Sequence, residues 1–125
     1  MVAFLSDNIL DNGLQYITTN GGALHICSAQ PATYTEATST YTLGSKTSPT
    51  IGSPVDGATS GRRVIVSAIT DGTVSGTGTA SHYAIVKTTA TTELLAAEAL
   101  SASQAVTSGN PFTLTSFSIT LPDPA

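Results

Sequence analysis

The sequence predicts a mainly β protein: an antiparallel β-sandwich, Ig-like or jelly-roll-like, with one short N-terminal helix and a long Thr/Ser/Pro/Gly loop. Three observations predict it. Thr and Ser supply 37 of the 125 residues, and β-branched side chains suit pleated, half-buried surfaces better than helices. Short apolar alternations bounded by Gly, Pro, Asn and Asp recur through the second half. With 3 Phe, 4 Tyr and no Trp, the core must be filled by Val, Ile, Leu and Ala, which fits a thin sandwich better than a deep-walled cavity.

Residues 1–125 read as a single domain, the usual size for one modest core. Residues 1–22 form an N-terminal arm and short helix. Ser6 is placed to cap it, Leu5 and Leu10 take the staple positions, and Leu10, Leu14 and Ile17 recur at helical spacing. Asp7 adds a favourable charge to the first turn. Asn20, Gly21 and Gly22 should stop the helix near Thr18 or Thr19 by supplying left-handed or turn conformations. A helix of about three turns is too short to stand alone, so it must dock.

Residues 23–28 alternate, with Leu24 and Ile26 on one face and His25 and Cys27 on the other, and read as a strand. Residues 29–61 carry Pro31, Pro49, Pro54 and four glycines on a Thr/Ser background, and are expected to form the long loop. A short strand fits around Thr40 to Leu43. Beyond it, residues 63–69 read as a strand, Asp71-Gly72 as a turn, and residues 73–79 and 80–87 as the continuing strands of a meander. Residues 94–100 are taken as strand, although Leu and Ala also favour helix. After the TSGN loop at 107–110, residues 111–121 show a phase slip. Phe112 and Leu114 share one face while Phe117, Ile119 and Leu121 share the other, so a bend near Thr115-Ser116 should carry the chain from one sheet to the next. Pro122 and Pro124 end pairing and leave a short extended tail.

Charge narrows the partners. Lys and Arg number 4 against 8 Asp and Glu, a net charge of −4, so Lys46, Arg62, Arg63 and Lys87 are too few for the phosphate contacts of nucleic-acid binding. No apolar run approaches the ~20 residues of a membrane-spanning helix. Neither nucleic acid nor membrane is expected as a partner. Cys27 is the single cysteine, which excludes an intrachain disulfide, and residues 1–5 lack a basic leader region, so synthesis in a cytoplasm is expected. Only 10% of residues are charged, against about 25% in ordinary domains, and little like-charge repulsion keeps copies apart. That composition fits a subunit of an assembly.

Catalytic and metal chemistry find little footing. His25, Cys27 and His82 offer three potential metal ligands, but without the paired spacing of zinc sites. A Ser-His-Asp set can be drawn from any serine with His82 and Asp71, which the abundance of serine makes uninformative. Glu36, Asp56, Glu93 and Glu98 stand singly, with nothing to pair them as acid and base. The chain is therefore read as not an enzyme, with no cofactor and no metal. The interface candidates are Phe4 and Leu5 in the arm, Tyr34 and Tyr41 in the loop, and Arg62 and Arg63 at the start of a strand.

One resemblance covers nearly the whole chain. The helix ending in LDNGL, the LHICSAQP strand and turn, GRRVIVSAITDG, TASHYAIV, LLAAEALSASQAVTSGN and the closing FTLTSFSITLP together resemble a family of small tailed-phage virion structural proteins, tail-fibre or minor-tail-like and head-decoration-like. Ala96 follows the paired Leu94 and Leu95 where that family often has Trp. The resemblance implies a non-enzymatic bacteriophage virion structural protein, made in the host bacterial cytoplasm and residing in the virion. Its leading form is a capsid decoration or cement protein, a homo-oligomer that binds the major capsid protein or other virion proteins on the outer head surface. The alternative is a tail-fibre or minor-tail component with a receptor-facing loop.

Overall fold

The expected β-rich architecture is present in the computed structural model, which describes residues 7–57, 61–89 and 91–121, with side chains from residue 10 onward. One helix, α1 (Asp7–Asn20), precedes β1 (Ala23–Cys27), a single π-helical turn (Glu36–Thr40), β2 (Thr42–Thr47) and β3 (Val55–Asp56). Then come β4 (Arg62–Val66), β5 (Ile69–Val74), β6 (Gly78–Lys87), β7 (Glu93–Val106), β8 (Pro111–Leu114) and β9 (Phe117–Leu121). All pairings are antiparallel: a six-stranded sheet in the order β7-β6-β1-β2-β5-β8 curls into a half-barrel, and β3-β4-β9 form a small second sheet.

The two sheets share a bent ribbon. β4 pairs with β9 in the small sheet and β5 with β8 in the large one, and the register is continuous across the corner: Val66 faces Phe117, and Ile69 faces Leu114. Residues 67–68 and 115–116 are the points where each strand changes sheet. Such corners let one strand serve two layers with opposite faces. The phase slip in residues 111–121 is this corner, and it brings both apolar sets to a common core except for Leu121, which stays exposed at 38%. Phe112 and Leu114 are buried, and Phe117 and Ile119 pack against the same cluster.

That main core holds Leu24, Ile26, Val66, Val74, Tyr83 and Ile85, with Ile17 of α1 against it. Full burial of an aliphatic side chain stabilises by roughly 1.5–3 kcal/mol. Leu10 and Leu14 of α1 are also buried, as the helical spacing requires. β1 is covered on both faces. Ala23 and Cys27 join Ala37, Ala84 and Val86 in a second cluster under the π-helical turn, so the His25/Cys27 face is not a solvent face.

Several expectations need correction. The interval 29–61 contains β2, β3 and the π-helical turn, and β2 is an interior strand between β1 and β5. It runs six residues from Thr42, longer and later than the strand expected at 40–43. Asp71-Gly72 is not a turn but lies within β5, beside a register shift against β8. Gly72 is needed there because a Cβ would fall 2.2 Å from the Phe112 ring. The meander fails as well: β4 and β5 belong to different sheets, and β5 and β6 are separated by β2 and β1. Gly21 and Gly22 do end the helix, yet neither adopts positive φ. They admit close neighbours instead, Ile51 against Gly21 and Thr88 against Gly22. Ser6, Leu5 and the Pro122/Pro124 tail lie outside the described residues.

Candidate functional site

Two surfaces stand out: the outward face of the small sheet, and a cleft along the open seam of the half-barrel. The first follows from strand alternation. Arg62, Val64 and Val66 of β4 face α1 and the core, so Arg63 and Ile65 face out, joined by Val55 opposite Arg63 and by Ser118 and Thr120 of β9. Val55 and Ile65 are 42% and 38% exposed, two of the four large hydrophobic side chains that are exposed among the described residues. β3 and β9 are both sheet edges, so this face is framed by unpaired strand backbones.

The two arginines expected at an interface have separate roles. Arg62 is turned inward. Its Nε donates to Asp11 Oδ1 at 2.7 Å and its Nη2 to Asp11 Oδ2 at 3.3 Å, while Nη1 donates to Asp56 Oδ1. These carboxylates, Asp11 first, hold the guanidinium even more firmly protonated than usual. Arg62 thus clamps α1 and β3 onto β4. Lys46 is tied to Asp71 at 3.0 Å, and Lys87 lies 5.8 Å from the centre of the Tyr16 ring. Arg63 alone of the four fixed cations makes no such contact among the described residues, and its Nε is buried without an acceptor. A buried donor left unpaired costs about 1–3 kcal/mol.

Tyr34 and Tyr41 flank the π-helical turn, half-buried against the second cluster. Thr33 Oγ1 accepts the Glu36 amide at 3.1 Å and Glu36 Oε1 accepts the Ala32 amide at 2.8 Å, a reciprocal arrangement close to a capping box. The Tyr41 amide closes the turn on the Glu36 carbonyl at 2.8 Å. The T-x-x-E spacing of Thr33 and Glu36 is the sequence signal for this structured start. Phe4 and Leu5, the remaining interface candidates, lie outside the described residues.

The second surface arises from curvature. β7 and β8 are the outer strands of the large sheet, and its curl brings them towards each other without pairing. At one end Gln104 Nε2 of β7 reaches across to the Thr113 carbonyl of β8 at 3.1 Å. Elsewhere the seam opens into a cleft of about 610 Å³ lined by Tyr83, Glu98, Leu100, Gln104, Leu114 and Phe117, with serine and threonine at the rim. Its floor is aromatic: the Tyr83 and Phe117 rings lie 4.4 Å apart at 43°, a contact that also joins the two sheets. The Tyr83 hydroxyl donates to Glu98 Oε2 at 3.3 Å. Burial first, then the Glu98 charge and this bond, push the phenol pKa well above its ordinary value. The sequence marks the cleft only by Glu98, one carboxylate in the otherwise uncharged run 94–106.

The groups considered for metal or catalytic chemistry are engaged separately. Cys27 and His82 are register partners on β1 and β6. The buried Cys27 Sγ lies 3.7 Å from the Ala37 carbonyl, and burial pushes its thiol pKa up to about 11, which leaves a protonated, poorly nucleophilic sulfur. His25 Nδ1 is 2.9 Å from Thr42 Oγ1 and its pKa is lowered by burial. His82 Nδ1 is 2.8 Å from Ser81 Oγ, whereas Asp71, on β5 with β1 and β2 between, bonds Lys46. Among the described residues no three His, Cys, Asp or Glu side chains gather as a metal site, and no helix is long and apolar enough to cross a membrane. Comparison of the chain with protein-family models, with curated proteins and with solved structures finds no match.

Proposed function

We propose that this chain is a non-enzymatic bacteriophage virion structural protein, a decoration subunit that docks on the outer surface of the head and braces neighbouring capsid subunits. The observation that carries the reading is the outward face of the small sheet, where Val55 and Ile65 are exposed beside Arg63, whose buried Nε lacks an acceptor. Docking there covers the two aliphatics and brings a partner carboxylate or carbonyl against the part of the Arg63 side chain that is still accessible. The hydroxyl-rich, weakly charged composition supports it, as does the resemblance to small tailed-phage virion proteins. Stabilisation follows by mass action: a subunit that binds only the assembled shell raises the shell's resistance to unfolding.

The test is addition of purified chain to heads prepared without it. Stoichiometric binding and a raised head melting temperature are expected, and both should be weakened by Arg63→Gln. Absence of binding to heads, with binding to isolated tails, would replace the decoration role with a tail-fibre or minor-tail role.

A further inference from the structure

We propose that the seam between β7 and the β8–β9 corner is an acceptor groove for an extended segment of a partner protein that carries a lysine or arginine, whose cation meets Glu98. This deepens the reading of the chain as a docking subunit and rests on it. The groove has two walls made of strand edges: among the described residues β7 pairs only with β6, and β8 only with β5. Both walls therefore present backbone donors and acceptors that a further strand would pair with, the geometry of β-augmentation. Gln104 stitches the seam shut at one end through the Thr113 carbonyl, so the open length is the stretch beside Glu98, Leu100, Leu114 and Phe117.

The chemistry of the lining selects the occupant. A volume of about 610 Å³ falls in the range of real binding sites. Its aromatic and leucine floor takes apolar side chains, and the serine and threonine rim takes small polar ones, the alternation an extended segment presents. Glu98 is the one carboxylate of the lining; it accepts from the neutral Tyr83 hydroxyl at 3.3 Å, and among the described residues no lysine or arginine pairs with it. A guest cation does so while its stem lies along the Tyr83–Phe117 floor. An acidic guest is disfavoured both by Glu98 and by the net charge of −4.

The β7 wall is shaped for a guest and against its own kind. Against β6, Ala80 pairs with Gln104 but His82 with Ala99, so residues 100–103 bulge from the ladder at the groove. A bulge there blocks a long flat pairing with a second β7 while leaving a short recess, consistent with a guest of a few residues.

The test uses the purified full chain and two capped peptides, Ac-Ser-Val-Thr-Lys-Val-Thr-Ser-NH2 and the same peptide with Glu for Lys, followed by amide NMR. The lysine peptide should move amides of residues 98–104 and 113–118, and bind at least tenfold tighter than the glutamate peptide. Glu98→Gln should reduce that preference to under threefold, and Ala102→Tyr, from the exposed rim, should block binding with the thermal midpoint retained. No movement of these amides, equal binding of both peptides, or movement confined to residues 55–56 and 119–121 would overturn the proposal. Because the assay contains no phage particle, such a failure removes the groove and leaves the virion reading to the head-binding test.

Discussion

At the scale of single residues, the tightest constraint is the fit of Phe112 over Gly72. A Cβ at position 72 would lie 2.2–2.6 Å from three ring atoms, and the ring is fully enclosed by the core. Gly72→Ala is expected to destabilise by about 1–3 kcal/mol through overpacking, and Phe112→Ala by about 3–5 kcal/mol through the cavity it leaves. In the double variant the Gly72→Ala cost should vanish, because its target is gone; urea unfolding of all four proteins measures this coupling. Cys27 sets a pH limit. Its folded thiol titrates at about 11 against an ordinary value of 9.0, so above pH 9 the unfolded chain gives up this proton first. The contribution is whole below pH 9 and is lost as pH rises through about 11. Denaturant midpoints measured from pH 8 to 11 should fall, and Cys27→Ala should flatten part of that fall. The remainder belongs to groups such as Tyr83, whose phenol is raised in the same sense.

At the scale of elements, α1 is held by burial of Leu10 and Leu14 and by the fork of Arg62 on Asp11. Arg62→Ala and Asp11→Ala should each lower the thermal midpoint, and the double variant should cost less than their sum, since each single change strips the other's partner. Additive losses would show that the fork does not hold the helix. The helix and the β8–β9 corner were legible in the residues: Leu10, Leu14 and Ile17 carry a helical period, and the shift from Phe112/Leu114 to Phe117/Ile119 carries the change of sheet. β2 was not legible as an interior strand. Thr42, Ser45, Lys46 and Thr47 offer almost no apolar alternation, and the strand is secured by backbone pairing to β1 and β5. Asp71-Gly72 misled for the converse reason. Its glycine serves the Phe112 ring on the neighbouring strand β8, a demand set by packing that local turn chemistry does not encode.

At the scale of the whole molecule, a chain with few charges keeps three of them in one clamp and leaves Arg63 beside two exposed aliphatics. Sequence composition pointed to an assembly subunit, but not to Val55, Ile65 or the Glu98 groove, because these sites arise only when strands from distant segments are folded together. Val55→Lys with Ile65→Lys should leave the thermal midpoint within a few degrees, since both side chains are already exposed, while abolishing head binding in co-sedimentation. Retained binding would move the docking face elsewhere. The most direct measurement is cryo-electron microscopy of the intact particle, with this chain fitted to the density. Density for the 12.6 kDa chain repeated over the outer head surface, with Val55, Ile65 and Arg63 against capsid subunits, is the expected result. Density confined to the tail, or none on the particle, would contradict the decoration role.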